Sequence, residues 1–276
     1  NSEIYPTRIS PIVTSIFRGV HGAVVSYGPT ACGKSYNLWG LPNHRPVSLE
    51  SRGLISRAVE NILVLTQKLR TTQCLYSVSL TLVQIDNETL TDILAEEDTG
   101  VHSELKLRED DEGELRIVGA YKFSIENQKD LEKVLILGRK ARQTSRSGHI
   151  FLTLHLDQMS VIKKRPSVSS PLLNKRSLKF VDLCGSELAN LPNISSSNNK
   201  TNFNENYHRN VRTKNILAQR QCAAKCDKHI PYRNSKVTHM LKDCIGKDAV
   251  CIFLICVSPF KCHAANTKGT IEFGSR

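Results

Sequence analysis

Apolar residues recur along this chain with two periods, and the alternation between them outlines the fold. Tyr5 to Arg18 places Ile9, Ile12 and Ile16 at helical spacing and stops at Gly19. A short β-branched run, Ala23 to Tyr27, follows as a strand. Leu54 to Leu69 has the apolar stripe of an amphipathic helix, and Tyr76 to Ile85 alternates as a strand does. Leu105–Leu107 and Leu115–Val118 flank Asp110-Asp111-Glu112-Gly113, which predicts a hairpin. Leu131 to Arg142 reads as a helix, and Ile150 to Leu156 and Leu178 to Val181 as strands. Between these strands, Lys163 through Arg176 reads as a basic, Ser/Pro-rich loop. Leu188 to Asn206 is polar and expected to be mobile. Lys236 to Ile245 predicts a helix, and Val250 to Val257 a buried strand with Cys251 and Cys256 in the core. The alternation predicts one α/β domain over residues 1–276, with a central, mostly parallel sheet flanked by helices on both faces. There are no internal repeats.

The segment after the first strand carries the most specific chemistry. Gly28-Pro29-Thr30-Ala31-Cys32-Gly33-Lys34-Ser35 fits G-x-x-x-x-G-K-[ST], the phosphate-binding loop. The glycines let successive N–H groups curl inward around anionic oxygens. Lys34 brings a positive charge to the β- and γ-phosphates, and Ser35 offers its hydroxyl to Mg²⁺. The loop opens a helix, whose N-terminal dipole favours phosphate. Further on, Phe180-Val181-Asp182-Leu183-Cys184-Gly185 is a strand ending in D-x-x-G. An Asp there holds Mg²⁺ directly or through water, and the glycine can turn its N–H to the γ-phosphate. No N-K-x-D element for guanine is present, since Asn174-Lys175-Arg176-Ser177 lacks the Asp, which favours ATP. Thr144-Ser145-Arg146-Ser147 precedes a strand, where its hydroxyls could reach Mg²⁺ or phosphate and Arg146 could pair with Glu187.

Bulk properties narrow the class. At 39% apolar and 23% charged residues the chain is globular. A net charge of +12 favours an anionic partner. The nine cysteines include no C-x-x-C pair, so reduced thiols in an intracellular protein are expected. The longest apolar run, Ala249 to Val257, is nine residues, too short for a membrane span. No secretory signal is visible.

In order, these segments resemble a kinesin motor domain, over nearly the whole chain. Tyr27 to Ser35 resembles the family's Y-G-Q-T-x-x-G-K-T, and Ile85-Asp86-Asn87-Glu88-Thr89-Leu90-Thr91-Asp92-Ile93-Leu94 its E-I-Y-N-E-x-I-x-D-L-L. Ser145-Arg146-Ser147 resembles switch I, S-S-R-S-H, and Asp182 to Glu187 resembles switch II, D-L-A-G-S-E. His229 to Thr238 resembles H-I-P-Y-R-D-S-K-L-T, and Thr270 to Phe273 the closing segment. The resemblance implies ATP hydrolysis with Mg²⁺, coupled to binding and movement on microtubules. It implies that Ser35, Ser145 and Asp182 serve the metal, that Ser145, Asp182 and Gly185 sense the γ-phosphate, and that Arg146 and Glu187 latch the two switches. The microtubule face would run from Asn206 through Asp243, with Lys225, Lys228, Arg233 and Lys236 as contacts and Pro231 and Tyr232 shaping the loop. Cytoplasmic residence on the microtubule cytoskeleton, including the spindle, is then expected.

The chain departs from the family in places. Switch I is shortened: Gln143 and Thr144 follow Arg142 at once, without the family's T-x-M-N, and Gly148 stands where the family has His, with His149 one place later. Arg209 and Arg212 occupy positions of the switch II helix that the family makes apolar or small. The chain begins after the family's first strand and stops before a neck linker. These departures define an alternative, a degenerate kinesin that grips microtubules, with or without ATP, but has no productive turnover. Nucleic acid binding through Lys163 to Lys179 ranks low, because no stacking aromatics interleave there except Phe180. The sequence specifies no oligomeric state.

Overall fold

The structure, a computed structural model, describes residues 1–41, 51–71, 74–100, 104–110, 113–145, 147–160, 173–186, 232–245 and 249–275. A π-type turn, Tyr5–Ile9, runs into helix α1, Ser10–Phe17. Strand β1 is His21–Tyr27, and α2, Lys34–Trp39, follows the phosphate loop. Helix α3 is Leu54–Leu69, β2 is Cys74–Asp86, β3 is Thr89–Asp92 and α4 is Ile93–Thr99. The predicted hairpin is β4, Lys106–Glu109, with β5, Leu115–Val118. A two-residue β6, Phe123–Ser124, leads to α5, Gln128–Thr144. Then come β7, His149–Ser160, and β8, Leu173–Asp182. The chain closes with α6, Lys236–Met240, β9, Ala249–Ile255, and α7, Ala264–Ser275.

The main sheet runs β3-β2-β7-β8-β1-β9, with β6 also paired to β2. Alternation along β1 splits the core in two. Val24 faces one cluster with residues of α1, α2, α3 and α5. Ala23, Val25 and Tyr27 face the other, with Val237, Met240 and Phe273 of α6 and α7 and Leu107, Leu115 and Ile117 of the small hairpin. Helices therefore cover both faces, as expected.

Three expectations need correction. The sheet is mixed, not mostly parallel. Only the pairings of β1 with β8 and β9 are parallel, whereas β2–β3, β2–β6, β2–β7 and β7–β8 are antiparallel. Only Asn87 and Glu88 join β2 to β3, too short for the crossover that a parallel pair needs, so that pair is antiparallel. β9 is half-buried along its length, not buried, because among the described residues it pairs only with β1; Val250 is 38% exposed. Lys175 and Arg176 belong to β8, opposite Asp157 and Leu156, and not to the basic loop. The rest of that loop and the polar stretch 188–206 lie outside the described residues.

Local chemistry sets the helix starts. Asn127 accepts from the N–H groups of Lys129 and Asp130, and the Asp130 carboxylate accepts from Asn127 N–H, a reciprocal capping box for α5. Asp92 does more. Its Oδ1 accepts from Leu94 and Ala95 N–H, each at 3.0 Å, and its Oδ2 accepts from Tyr121 N–H at 2.6 Å. One buried carboxylate thus caps α4 and fixes the segment that returns from the small hairpin. Asp92→Ala should lower unfolding free energy by about 2–3 kcal/mol, because it orphans buried donors as well as a cap. Urea denaturation checks this; a midpoint unchanged from the parent would sink the account.

Candidate functional site

The phosphate loop forms between the parallel strands, at the carboxyl end of β1. Gly28 has φ +147°, and a Cβ there would lie 2.0 Å from the Cys256 carbonyl oxygen, so only glycine fits. Gly33, at φ +92°, turns the chain into α2. Lys34 is 7% exposed, and its Nζ donates to the Gly28 and Pro29 carbonyls at 2.8 and 2.6 Å. Ser186 N–H donates to the Gly28 carbonyl at 2.9 Å, tying the segment after β8 to the loop. Thr30, Ala31, Lys34, Ser35, Arg142, Gln143, Leu183, Cys184 and Gly185 line a cleft of about 460 Å³.

Asp182, at the end of β8, has no solvent exposure and is bonded to Ser35 and Arg142 of this cleft's lining. Ser35 Oγ donates to its Oδ2 at 2.8 Å. Trp39 Nε1 and Arg142 Nε donate to the same oxygen, each at 3.1 Å. Ser26 Oγ donates to Oδ1 at 3.3 Å. Arg142 also donates to the Asp182 and Gly148 carbonyls, so one guanidinium joins the end of α5, the end of β8 and the turn before β7. Gly138 makes room for this: a Cβ there would lie 2.2 Å from the Trp39 ring.

The two predicted metal residues Ser35 and Asp182 therefore meet. Ser145 does not join them. It ends α5, and its hydroxyl donates to Asp86 Oδ2 at 3.3 Å and accepts from Gly148 N–H at 3.1 Å; Ser147 also donates to Asp86. Gly185 lines the cleft. Arg146 and Glu187, the expected latch, lie outside the described residues. His149 is buried at the start of β7 and meets the Cys184 N–H at 3.4 Å, beside the cleft. Sequence reasoning missed Ser26, Trp39 and Arg142. The last was signalled only weakly, by a basic residue in the final turn of α5.

A hydroxyl and a carboxylate are hard oxygen donors suited to Mg²⁺, which commonly takes one or two protein ligands and completes its shell with phosphate and water. Among the described residues no group of three or more His, Cys, Asp or Glu could hold a metal.

The predicted partner face is partly described. Lys225, Lys228 and Pro231 lie outside the described residues. Tyr232 fixes the loop, since its hydroxyl donates to the Ile245 carbonyl and its own carbonyl accepts from Thr238. Lys236 opens α6, and its N–H donates to Glu88 at 2.7 Å. Arg233 lies 3.2 Å from Glu109, which also meets His239 at 3.1 Å and Lys242 at 2.9 Å. Lys242 first, then His239 and Arg233, holds the Glu109 carboxyl down to about 2. These contacts clip β4 to α6 and to the turns on either side of it.

Over residues 1–276 the chain matches the kinesin motor domain family. Kinesin-like protein KIF27 of Homo sapiens is 28% identical over 289 residues, covering 99% of this chain and 20% of the relative. Kinesin-like protein 5 of Schizosaccharomyces pombe is 26% identical over 287 residues, covering 99% and 30%. The chain thus spans well under half the length of these curated relatives. The structure of a fast kinesin superposes with a TM-score of 0.79 at 23% identity, over 99% of this chain and 75% of that one. The C-terminal motor domain of Kar3 from Candida glabrata gives 0.77 at 21%, over 99% and 77%.

Two outcomes are expected from this geometry. Trp39 is the single tryptophan and bonds Asp182 directly. Its emission should shift when MgATP is added, and Asp182→Asn should shift it without ligand; titration fluorimetry in which both spectra stay unchanged would count against the site. The Glu109 clip should hold fully above pH about 4.5 and be lost as pH falls through about 2, because its folded value lies below the ordinary 4.5. Glu109→Gln should reproduce that loss at neutral pH as faster amide exchange in residues 106–118.

Proposed function

The chain belongs to the kinesin motor domain family, and we propose that it is an ATP-dependent microtubule motor core. The observation that carries the reading is the 2.8 Å contact of Ser35 with buried Asp182 at the mouth of the phosphate loop. It joins the serine of the phosphate loop to the aspartate of D-x-x-G, 147 residues apart, and supports reading the two as halves of one nucleoside triphosphate site. Lys34 and the loop N–H groups would bind the phosphates, and Ser35 and Asp182 would hold Mg²⁺. When bound, the metal neutralises charge on the β- and γ-phosphates. Gly185 lines the same cleft and would offer its N–H to the γ-phosphate. Ser145, Arg146 and Glu187 are the candidates for closing the site around a positioned water, the step that hydrolysis needs. Stabilisation of the transition state is then electrostatic, from fixed donors in a partly dry cleft.

The partner in this reading is the microtubule, whose acidic surface suits a chain of net charge +12. Arg233 and Lys236 stand at the start of α6 on the proposed contact face, with Lys225 and Lys228 assigned to it by sequence. A cytoskeletal location, on cytoplasmic or spindle microtubules, follows from that partner. Among the described residues no helix is long and apolar enough to cross a membrane.

ATP turnover measured with and without stabilised microtubules tests the proposal. Microtubules should raise the rate severalfold. Lys34→Ala should weaken ATP binding by roughly 10–100-fold, the value of a lost charged hydrogen-bond donor, and abolish the stimulation. Co-sedimentation with microtubules without stimulated turnover would overturn the motor reading in favour of a track-binding protein.

A further inference from the structure

One face of the main sheet changes character along its strands. Near the phosphate loop it is apolar, with Val83 on β2, Phe151 on β7 and Val181 on β8 in the core. Two residues back on β2 and β8, and two residues on along β7, the same face carries Thr81, Lys179 and Thr153. His155, Asp157, Ser177 and Lys175 continue it, and His21 on β1 completes the band. Register keeps these residues level: Thr81 stands opposite Thr153, Thr153 opposite Lys179, His155 opposite Ser177 and Asp157 opposite Lys175. The β4–β5 hairpin lies over the band. Residues 114–117, Ala120 and Lys122 close it into a cavity of about 160 Å³, at the end of β1 away from the phosphate loop.

Polar groups buried under a hairpin need partners, and the protein supplies only some of them. Lys179 is 5% exposed; it donates to the Met240 carbonyl at 2.9 Å and stands 3.6 Å from Asp243, which accepts from Leu115 N–H at 3.1 Å. His21 bridges Ser177 and Glu114, at 3.0 and 3.1 Å. His155 Nε2 meets the Thr81 hydroxyl at 3.2 Å. The other ring nitrogen of His155 and the buried Thr153 hydroxyl have no hydrogen-bond partner among the described residues. Charge is uneven as well. Asp243 stands beside Lys179, Glu114 beside Arg176, Asp157 opposite Lys175, and Arg116 pairs with Asp110. Lys122 has no carboxylate partner among the described residues.

We propose that this cavity binds one hydrogenphosphate ion, which joins the β4–β5 hairpin to the main sheet. Lys122 supplies charge from the segment after β5, and Thr153 and the remaining nitrogen of His155 supply hydrogen bonds from β7. Size restricts the occupant, because a cavity near 150 Å³ holds about one benzene ring, so phosphate fits and a nucleotide does not. Asp157 selects among oxyanions. Its carboxylate repels sulfate, which has no hydrogen to offer, but accepts from the P–O–H of hydrogenphosphate. The local field agrees. Burial first, then the charges of Lys122 and Lys179, hold the His155 imidazole down to about 3. The positive field that opposes a protonated imidazole favours an anion at the same place. A bound anion reverses the effect, so the His155 titration midpoint rises with occupancy. The site neither uses the phosphate loop nor depends on the motor reading.

The test follows the His155 imidazole by NMR in the full chain, with histidine labelled at Cε1. Sodium phosphate is titrated against sodium chloride of equal ionic strength. His155→Gln assigns the resonance among the nine histidines. The expected result is saturable movement of that resonance with a Kd near about 1 mM, a higher titration midpoint, and slower amide exchange in residues 106–118. Sulfate should bind about tenfold more weakly, and Asp157→Asn should remove that difference. Lys122 is exposed, so its replacement spares the fold. Lys122→Ala should weaken phosphate by about 10–100-fold, the value of a lost charged hydrogen bond, and Lys122→Arg should restore most of it. No movement beyond the chloride control overturns the proposal. So does an undiminished response in Lys122→Ala, the pattern expected if phosphate acts from the phosphate loop. Sulfate as tight as phosphate in the parent overturns the assignment to hydrogenphosphate.

Discussion

A carboxylate without solvent exposure is the constraint around which this structure is arranged. Burying the Asp182 charge costs several kcal/mol unless donors surround it. The donors come from three places in the chain: Ser26 on β1, Ser35 and Trp39 on α2, and Arg142 on α5. Satisfying one charge therefore fixes the strand before the phosphate loop, the helix after it and the end of the helix that precedes the switch region. The parallel pairing of β1 with β8 supplies the geometry. It sets Ser26 opposite Asp182 in register and opens the loop from β1 beside the end of β8.

That arrangement is crowded on one oxygen. Asp182 Oδ2 accepts from Ser35, Trp39 and Arg142 together. A divalent cation held by Ser35 and Asp182 would compete with the Arg142 guanidinium for the same lone pairs. Arg142 also holds the Gly148 carbonyl, so one side chain links the carboxylate to the turn before β7. The coupling is short and physical: one side chain with two partners, on two elements.

The phosphate loop was legible because its requirements are local. Gly28 is demanded by a backbone that no other residue fits, and Lys34 and Ser35 follow at fixed spacing. Strands and helices were legible from periodicity, down to Leu54–Leu69, whose predicted and observed ends coincide. Strand direction was not, because β2 and β7 pair across 63 intervening residues or more and nothing local encodes the sense of that pairing. Burial of β9 was misjudged for a related reason: an apolar run reports what a strand could bury, and its neighbours decide what it does bury. Arg142 reads as one more cation on a helix with Arg139 and Lys140 beside it; only the fold shows that it turns inward while Lys140 pairs with Glu97 at the surface. Ser145 matched a motif, yet its hydroxyl is held by Asp86, a residue whose partner the sequence did not indicate.

The basic face illustrates how local pairing and net charge can both hold. Arg233, His239 and Lys242 gather on Glu109, an arrangement in which their charge looks spent. It is not. One carboxylate faces two permanently charged groups, so the cluster stays positive even with His239 neutral. Arg233 keeps 78% of its side chain exposed while it pairs. Exposed pairs contribute little binding energy of their own, so exchanging Glu109 for a carboxylate on a partner costs the protein little. What the cluster does supply is order: β4 and α6 are held together, with their long side chains already gathered at one place, and less entropy is lost when an acidic surface arrives. The attraction reaches about 8 Å at physiological salt, which is enough for an excess of positive charge to steer encounter before any single contact forms.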